Sequence, residues 1–163
     1  MTFFYVIPIF KTKNTHFSFR YFPSLKIFSI AISWAGISVL FPVAEASIPI
    51  DTFVILEFLK RFLILLAITI PFDIRDLDSD IETLKTLPQL LGISNAKKVG
   101  IIALIFFVFL GIRSNQYLIA EVIISIITGL FLWFSSIHKS RYYTSFWVES
   151  IPILWFFIIL LKN

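Results

Sequence analysis

Residues 53–92 read FVILEFLKRFLILLAITIPFDIRDLDSDIETLKTLPQLLG. The first half is almost wholly apolar and has the length a helix needs to cross the hydrocarbon of a bilayer, about 20 residues. The second half turns acidic. Five of the ten acidic residues in the chain fall between Asp73 and Glu82. An apolar helix that delivers a carboxylate cluster to the membrane boundary is the pattern from which the remaining segments are read.

The composition agrees with that reading. Of 163 residues, 58% are hydrophobic and only 15% are charged, and 20 are phenylalanine. Soluble domains run at about 45–50% apolar and about 25% charged. A chain of this size buries a limited share of its surface, so the excess apolar side chains must face lipid. Disorder is excluded, because disordered chains are poor in aromatics and rich in charge. The chain has no cysteine, which removes disulfides, zinc thiolate centres and cysteine nucleophiles. The expectation is an integral membrane protein, an all-α polytopic helix bundle forming a single transmembrane domain over residues 1–163.

Five apolar stretches are candidate spans: Ile27–Ala44, Phe53–Phe72, Val99–Ile112, Tyr117–Ile137 and Phe146–Leu161. The third is the shortest. Met1–Phe10 is apolar but too short to cross, and reads as the end of a helix, an N-terminal stub. Ten of the fourteen basic residues lie on one side of this arrangement: Lys11, Lys13, Arg20 and Lys26, then Arg75, Lys85, Lys97 and Lys98, then Lys139 and Arg141. Loops rich in Lys and Arg stay in the cytoplasm. The Asp-rich loop is therefore expected on the cytoplasmic side, most simply of a bacterial inner membrane. The net charge of +4 is read as topology and not as a nucleic-acid footprint.

Asp73, Asp76 and Asp80 follow i, i+3, i+7 spacing, so a continued helix would place all three on one face. Stacked carboxylates repel unless a cation lies among them, and Mg²⁺ bridges carboxylates to the phosphates of a substrate. Arg75 and Lys85, within and beside the run, are candidates for binding that phosphate. The other reading is a solvated acidic loop on a non-catalytic membrane protein or small transporter.

The spacing D-x-x-D-x-x-x-D at Asp73, Asp76 and Asp80, followed by Lys85-Thr86-Leu87-Pro88 and then Leu91-Gly92, resembles the second aspartate-rich motif of the UbiA superfamily of intramembrane prenyltransferases. The resemblance implies a bundle of about nine helices around a cavity open sideways to lipid. It implies Mg²⁺ held by Asp73, Asp76 and Asp80 and bridging the diphosphate of a polyprenyl donor. Lys85, and Arg75 with it, would touch that diphosphate. The donor ionises toward an allylic cation, which a lipophilic, usually aromatic, acceptor attacks.

The first motif of that family, of the N/D-x-x-x-D type, has no counterpart upstream of Asp73, where only Glu45, Asp51 and Glu57 are acidic. The five spans then correspond to the last five of nine, and Met1–Phe10 to the tail of the fourth. The chain is expected to be a fragment relative to the family, catalytically weak or inactive on its own. Remaining residues have simple readings. His16 and His138 are loop residues facing solvent. Trp34, Trp133, Trp147 and Trp155, with Tyr142 and Tyr143, suit a membrane-interface belt. Lys60 and Arg61, costly inside a span, either snorkel outward or serve a function, and Glu57 is spaced to pair with one of them. Glu121 and Glu149 are expected to face head groups.

Overall fold

A computed structural model describes residues 10–12, 15–17, 25–78, 86–114 and 117–162. Nearly all of the described backbone is helical. The exception is a three-residue strand pair, Phe10–Thr12 (β1) against Thr15–Phe17 (β2), antiparallel. Residues 1–9, most of the expected helix stub, lie outside the described residues.

Five long helical rods follow. The first, α1 (Leu25–Ala35), runs on through a π-helical turn at Gly36–Leu40 into a last turn at Phe41–Glu45. Ser47 takes a positive φ of 52° in the tight connection that follows. Asp51 then starts α2 (Thr52–Arg75), its side chain accepting the Val54 N–H at 2.9 Å, as a helix N-cap should. The long rod α3 covers Leu87–Ser114, broken at Gly92 (φ 77°, ψ 158°). Such angles are open to glycine and strained for other residues. After α4 (Leu118–Phe134), a π-helical segment Tyr143–Val148 leads into α5 (Ile151–Lys162).

Three of these rods are long and apolar enough to cross a membrane: 26–45, 87–114 and 143–161. The α4 helix is apolar but has 17 residues, at the lower limit for a span. The α2 helix carries Glu57, Lys60 and Arg61 within its apolar run. The third rod starts well before the expected Val99, because Leu87, Pro88 and the residues after them are already helical.

The α2 helix lies between two apolar clusters and is buried on more than one side, as a helix apolar around most of its circumference requires. One cluster joins Ile27 and Ala31 of α1 to Leu66, Ile70 and Ile74 of α2 and Ala96 and Ala103 of α3. The other joins Ile64, Ala67 and Ile68 to Leu104 and Phe107 of α3, Ile124 of α4 and Ile151 and Trp155 of α5. The outward faces are apolar too: Ile105, Phe109, Ile119, Trp133 and Phe156 are all exposed. A water-soluble chain does not leave an apolar surface this extensive uncovered.

The charges inside the bundle are where the structure departs from expectation. Lys60 does not snorkel; it is 1% exposed. Its Nζ donates to Glu57 Oε1 at 2.5 Å and to Ser114 Oγ at 3.0 Å, and pairs with Glu121 Oε1 at 2.6 Å. Glu121, expected at the head groups, is buried instead and faces Lys60. Gly111 leaves the room for it, since a Cβ there would overlap the Glu121 carboxylate. Trp155 is likewise buried, with its ring edge-on to Phe107 and not at an interface.

The Lys60 cluster joins α2, the end of α3 and the start of α4. Removing one partner of a buried ion pair strands the other, at a cost of about 3–5 kcal/mol. Lys60→Met is therefore expected to lower unfolding stability in detergent by that amount. The double variant Lys60→Met/Glu121→Leu should regain part of the loss. An unchanged denaturation midpoint for Lys60→Met would show that the cluster holds nothing together.

Candidate functional site

The acidic segment begins inside α2 and leaves it. Asp73 sits in the last turn, and the helix stops at Arg75. Asp76 is the C-cap, with φ −87° and ψ 4°, its N–H donating to Phe72 O at 2.9 Å. Residues 76–78 form a turn. The helical face imagined for Asp73, Asp76 and Asp80 thus ends before its third member. Asp80 and Lys85 lie outside the described residues. Asp78 is exposed.

Asp73 and Asp76 open onto one cavity of about 600 Å³ between α1, α2 and the start of α5. Its walls are mostly apolar: Ile30, Trp34, Ile64, Ile68, Phe72 and Ile151 among them. Lys26, at the start of α1, pairs with Asp73 Oδ1 at 3.2 Å across the cavity mouth. Glu149 lies on the wall contributed by the last rod, and Arg61 and Trp155 also line the space.

Arg75 is engaged by the fold itself. Its Nε and Nη2 donate to Asp76 Oδ1 and Oδ2 at 2.6 and 2.8 Å, a two-pronged grip on the carboxylate. Its Nη1 donates to Thr144 Oγ1 at 2.8 Å and Ser145 Oγ at 3.2 Å. The guanidinium expected to bind a phosphate therefore ties the end of α2 to the segment that opens the last rod, and orients Asp76. These hydrogen bonds hold the Asp76 carboxyl below the usual carboxylate range; partial burial opposes them, and the charges of Arg75, Lys26 and Arg141 add to them.

The residues after the acidic run have local work in the backbone. Gln89 Oε1 accepts the Thr86 N–H at 2.9 Å, one half of a capping box at the start of α3. Pro88 sits in the first turn, where its missing N–H has no partner to lose. Gly92 supplies the break in the rod.

Among the described residues, no group of three or more His, Asp or Glu side chains is placed to hold a metal ion. The two carboxylates on the cavity wall nevertheless fit magnesium by donor chemistry. Mg²⁺ takes hard oxygen ligands and is commonly held by one or two carboxylates together with substrate phosphates. Lys26, Glu149, Thr144 and Ser145 were not singled out for this site from sequence. Lys26 is 47 positions from its partner Asp73, and no local spacing announces such a pair. Compared with protein-family models, characterised proteins and solved structures, the chain gives no match.

A carboxyl whose folded pKa is depressed adds stability that is present above its unfolded pKa, about 3.9 for Asp. That stability is lost as pH falls through the lower, folded value. Asp76 is expected to remain ionised where an ordinary aspartate is half protonated, as read by its side-chain ¹³C shift in a pH titration. Arg75→Gln should return it toward the ordinary range. An Asp76 titration unmoved by Arg75→Gln would show that the grip seen here does not control the carboxylate.

Proposed function

We propose that this chain is the C-terminal portion of a UbiA-like prenyltransferase. It would cross the membrane five times, with α1 to α5 as its spans, and serve the transfer of a prenyl group from its diphosphate to a lipophilic or aromatic acceptor. The observation that carries the reading is the cavity itself, an apolar space between helices with Asp73 and Asp76 at one end. A prenyl diphosphate has that shape of polarity, a long hydrocarbon joined to a strongly anionic head.

Several features support the reading. The Asp-bearing end also gathers the start of α1 and the start of the last rod, through Lys26 and Thr144. Ten of the fourteen basic residues fall in segments assigned to that side, which suits the cytoplasmic face of a bacterial inner membrane. Asp73, Asp76 and Asp80 would hold Mg²⁺, and Lys85 would meet the diphosphate. Bound there, magnesium supplies neutralisation of the charge that grows on the leaving diphosphate.

The chain supplies the rest. Lys26 lies within reach of Asp73 and offers a second cation at the mouth of the cavity. Arg75 fixes the rotamer of Asp76 and keeps it ionised. Ile64, Ile68 and Ile151 exclude water from the hydrocarbon and from any cation formed on it. The faces of Trp34 and Phe72 border the same space, and aromatic faces attract cations.

The test is binding before turnover. A non-reactive thiolo analogue of a prenyl diphosphate should bind the detergent-solubilised chain only with Mg²⁺ present. Asp76→Ala and Asp80→Ala should each weaken it at least about tenfold, the scale expected when a charge-assisted contact is removed. Binding that is indifferent to magnesium and to both substitutions would leave the acidic segment as cytoplasmic charge on a non-catalytic membrane protein.

A further inference from the structure

Lys60 and Arg61 are adjacent in sequence and opposite in circumstance. Lys60 faces the helix bundle and holds two carboxylates and a hydroxyl. Arg61 faces the cavity. Its guanidinium carbon lies over the Trp155 ring, 3.8 Å from the centroid. No hydrogen bond or ion pair involves Arg61 among the described residues; the charges of Glu57 and Glu121 act on it, but both carboxylates make their close contacts with Lys60. A guanidinium carries five N–H donors and is never neutral in a protein. The indole covers part of its face, and its remaining donors open onto the cavity. In the low-dielectric interior of a membrane protein, donors without acceptors are costly.

Arg61 also has a defined place along the cavity. It is twelve residues before Asp73 on one helix, a separation of about 18 Å. The Lys26–Asp73 pair sets the register of α1 against α2. Counting twelve residues along α1 from Lys26 brings Ser38 to the level of Arg61, and Ser38 lines the same space. Trp155 is 5% exposed, and its Nε1 finds no acceptor among the described residues. The far end of the cavity thus carries the Arg61 guanidinium on Trp155, with Ser38, whose hydroxyl donates to Ala35 O at 3.3 Å, at its level, and the wall between the two ends is mostly apolar.

We propose that Arg61, seated on Trp155, forms a binding site for the oxyanion head of a membrane amphiphile, a carboxylate or a phosphate, whose hydrocarbon lies along the apolar wall. The planar fork of the guanidinium matches the two oxygens of such a head. At about 18 Å from Asp73, this site is separate from the carboxylate end, and it stands whether or not that end transfers prenyl groups. A protein that holds an acidic lipid here gains a seam-filling ligand between α1 and α5.

The experiment uses quenching of tryptophan fluorescence by brominated amphiphiles added to the full chain in neutral detergent, at a pH where the acids are ionised. Three probes are compared: dibromostearate, phosphatidylglycerol with dibrominated chains, and the uncharged dibromostearyl alcohol. Trp155→Phe identifies the part of the signal that comes from Trp155. Saturable quenching of that part by dibromostearate alone assigns a fatty-acid-like carboxylate. Saturation by phosphatidylglycerol assigns a lipid phosphate. Either outcome supports the site, provided that the alcohol binds at least about tenfold more weakly and that Arg61→Gln loses a similar factor while Arg61→Lys keeps most of the affinity. Circular dichroism melting checks that Arg61→Gln is folded. Should that variant not fold, the acid-to-alcohol ratio in the wild-type chain decides alone. Equal quenching by acid and alcohol, or wild-type affinity in a folded Arg61→Gln, overturns the proposal.

Discussion

The Lys60 ammonium, enclosed by Glu57, Glu121 and Ser114, is the interaction on which the helix arrangement turns. An unpaired ammonium at this depth would be prohibitive in lipid, and two unpaired carboxylates equally so. Each group is tolerable only because the others are in place. That condition fixes which face of α2 meets the end of α3 and the start of α4, and it does so at one end of the bundle. Gly111 is part of the same constraint, because the carboxylate of Glu121 occupies the space a side chain would need. Apolar packing between helices in lipid has no solvent-exclusion term to choose a register. A buried polar contact of this kind supplies the choice.

The opposite end of α2 is held differently. There the ties are Lys26 to Asp73 and Arg75 to Asp76, Thr144 and Ser145. Lys26, Arg75 and Asp76 are partly exposed while Asp73 and Thr144 are buried, and an ion pair between exposed groups is weak, about 0–1 kcal/mol. Their value lies in position more than in energy. They bring the first and last rods to the same end of α2 and so define the two sides of the apolar cavity. The cavity runs between these two ends, from Asp73 and Asp76 to Arg61 beside the Lys60 cluster. A site that must exchange cation contacts when a ligand arrives is better placed where those contacts are cheap to break.

Much of the helical architecture was legible because it follows from apolar run length, which is a local property. The five long helices fall on the five apolar stretches, and the misjudged boundary, the early start of α3, comes from a capping signal hidden in a suspected motif. Thr86, Pro88, Gln89 and Gly92 start and break a helix, and the same letters in the same order carry part of the family resemblance. Local backbone chemistry and family signature therefore overlap in K-T-L-P-Q-L-L-G, and the spacing of letters does not separate them. The pairings were not legible. Lys60 with Glu121, Lys26 with Asp73 and Arg75 with Thr144 are each separated by more than forty residues, and periodicity reports only which face of a helix a residue occupies. Glu57 with Lys60, three residues apart, is the exception, because helical spacing alone brings them together.

The charged residues of α2 divide by face as well as by depth, and that division bears on how such a helix reaches the membrane. Glu57, Lys60 and Arg61 put three charges within five residues, enough to make α2 a poor span in isolation. Glu57 and Lys60 neutralise each other at helical spacing before any neighbour is present. Glu121 then arrives on a later helix, bringing a carboxylate to a cluster that already contains an ammonium. Arg61 is left over. In the folded chain its charge sits beside the cluster, but its donors point elsewhere, onto the wall of the cavity. A guanidinium kept there, on a tryptophan, is held by the field of the two carboxylates and not by hydrogen bonds to them, so the charges of α2 cancel as a group while one cation keeps its donors turned to the cavity.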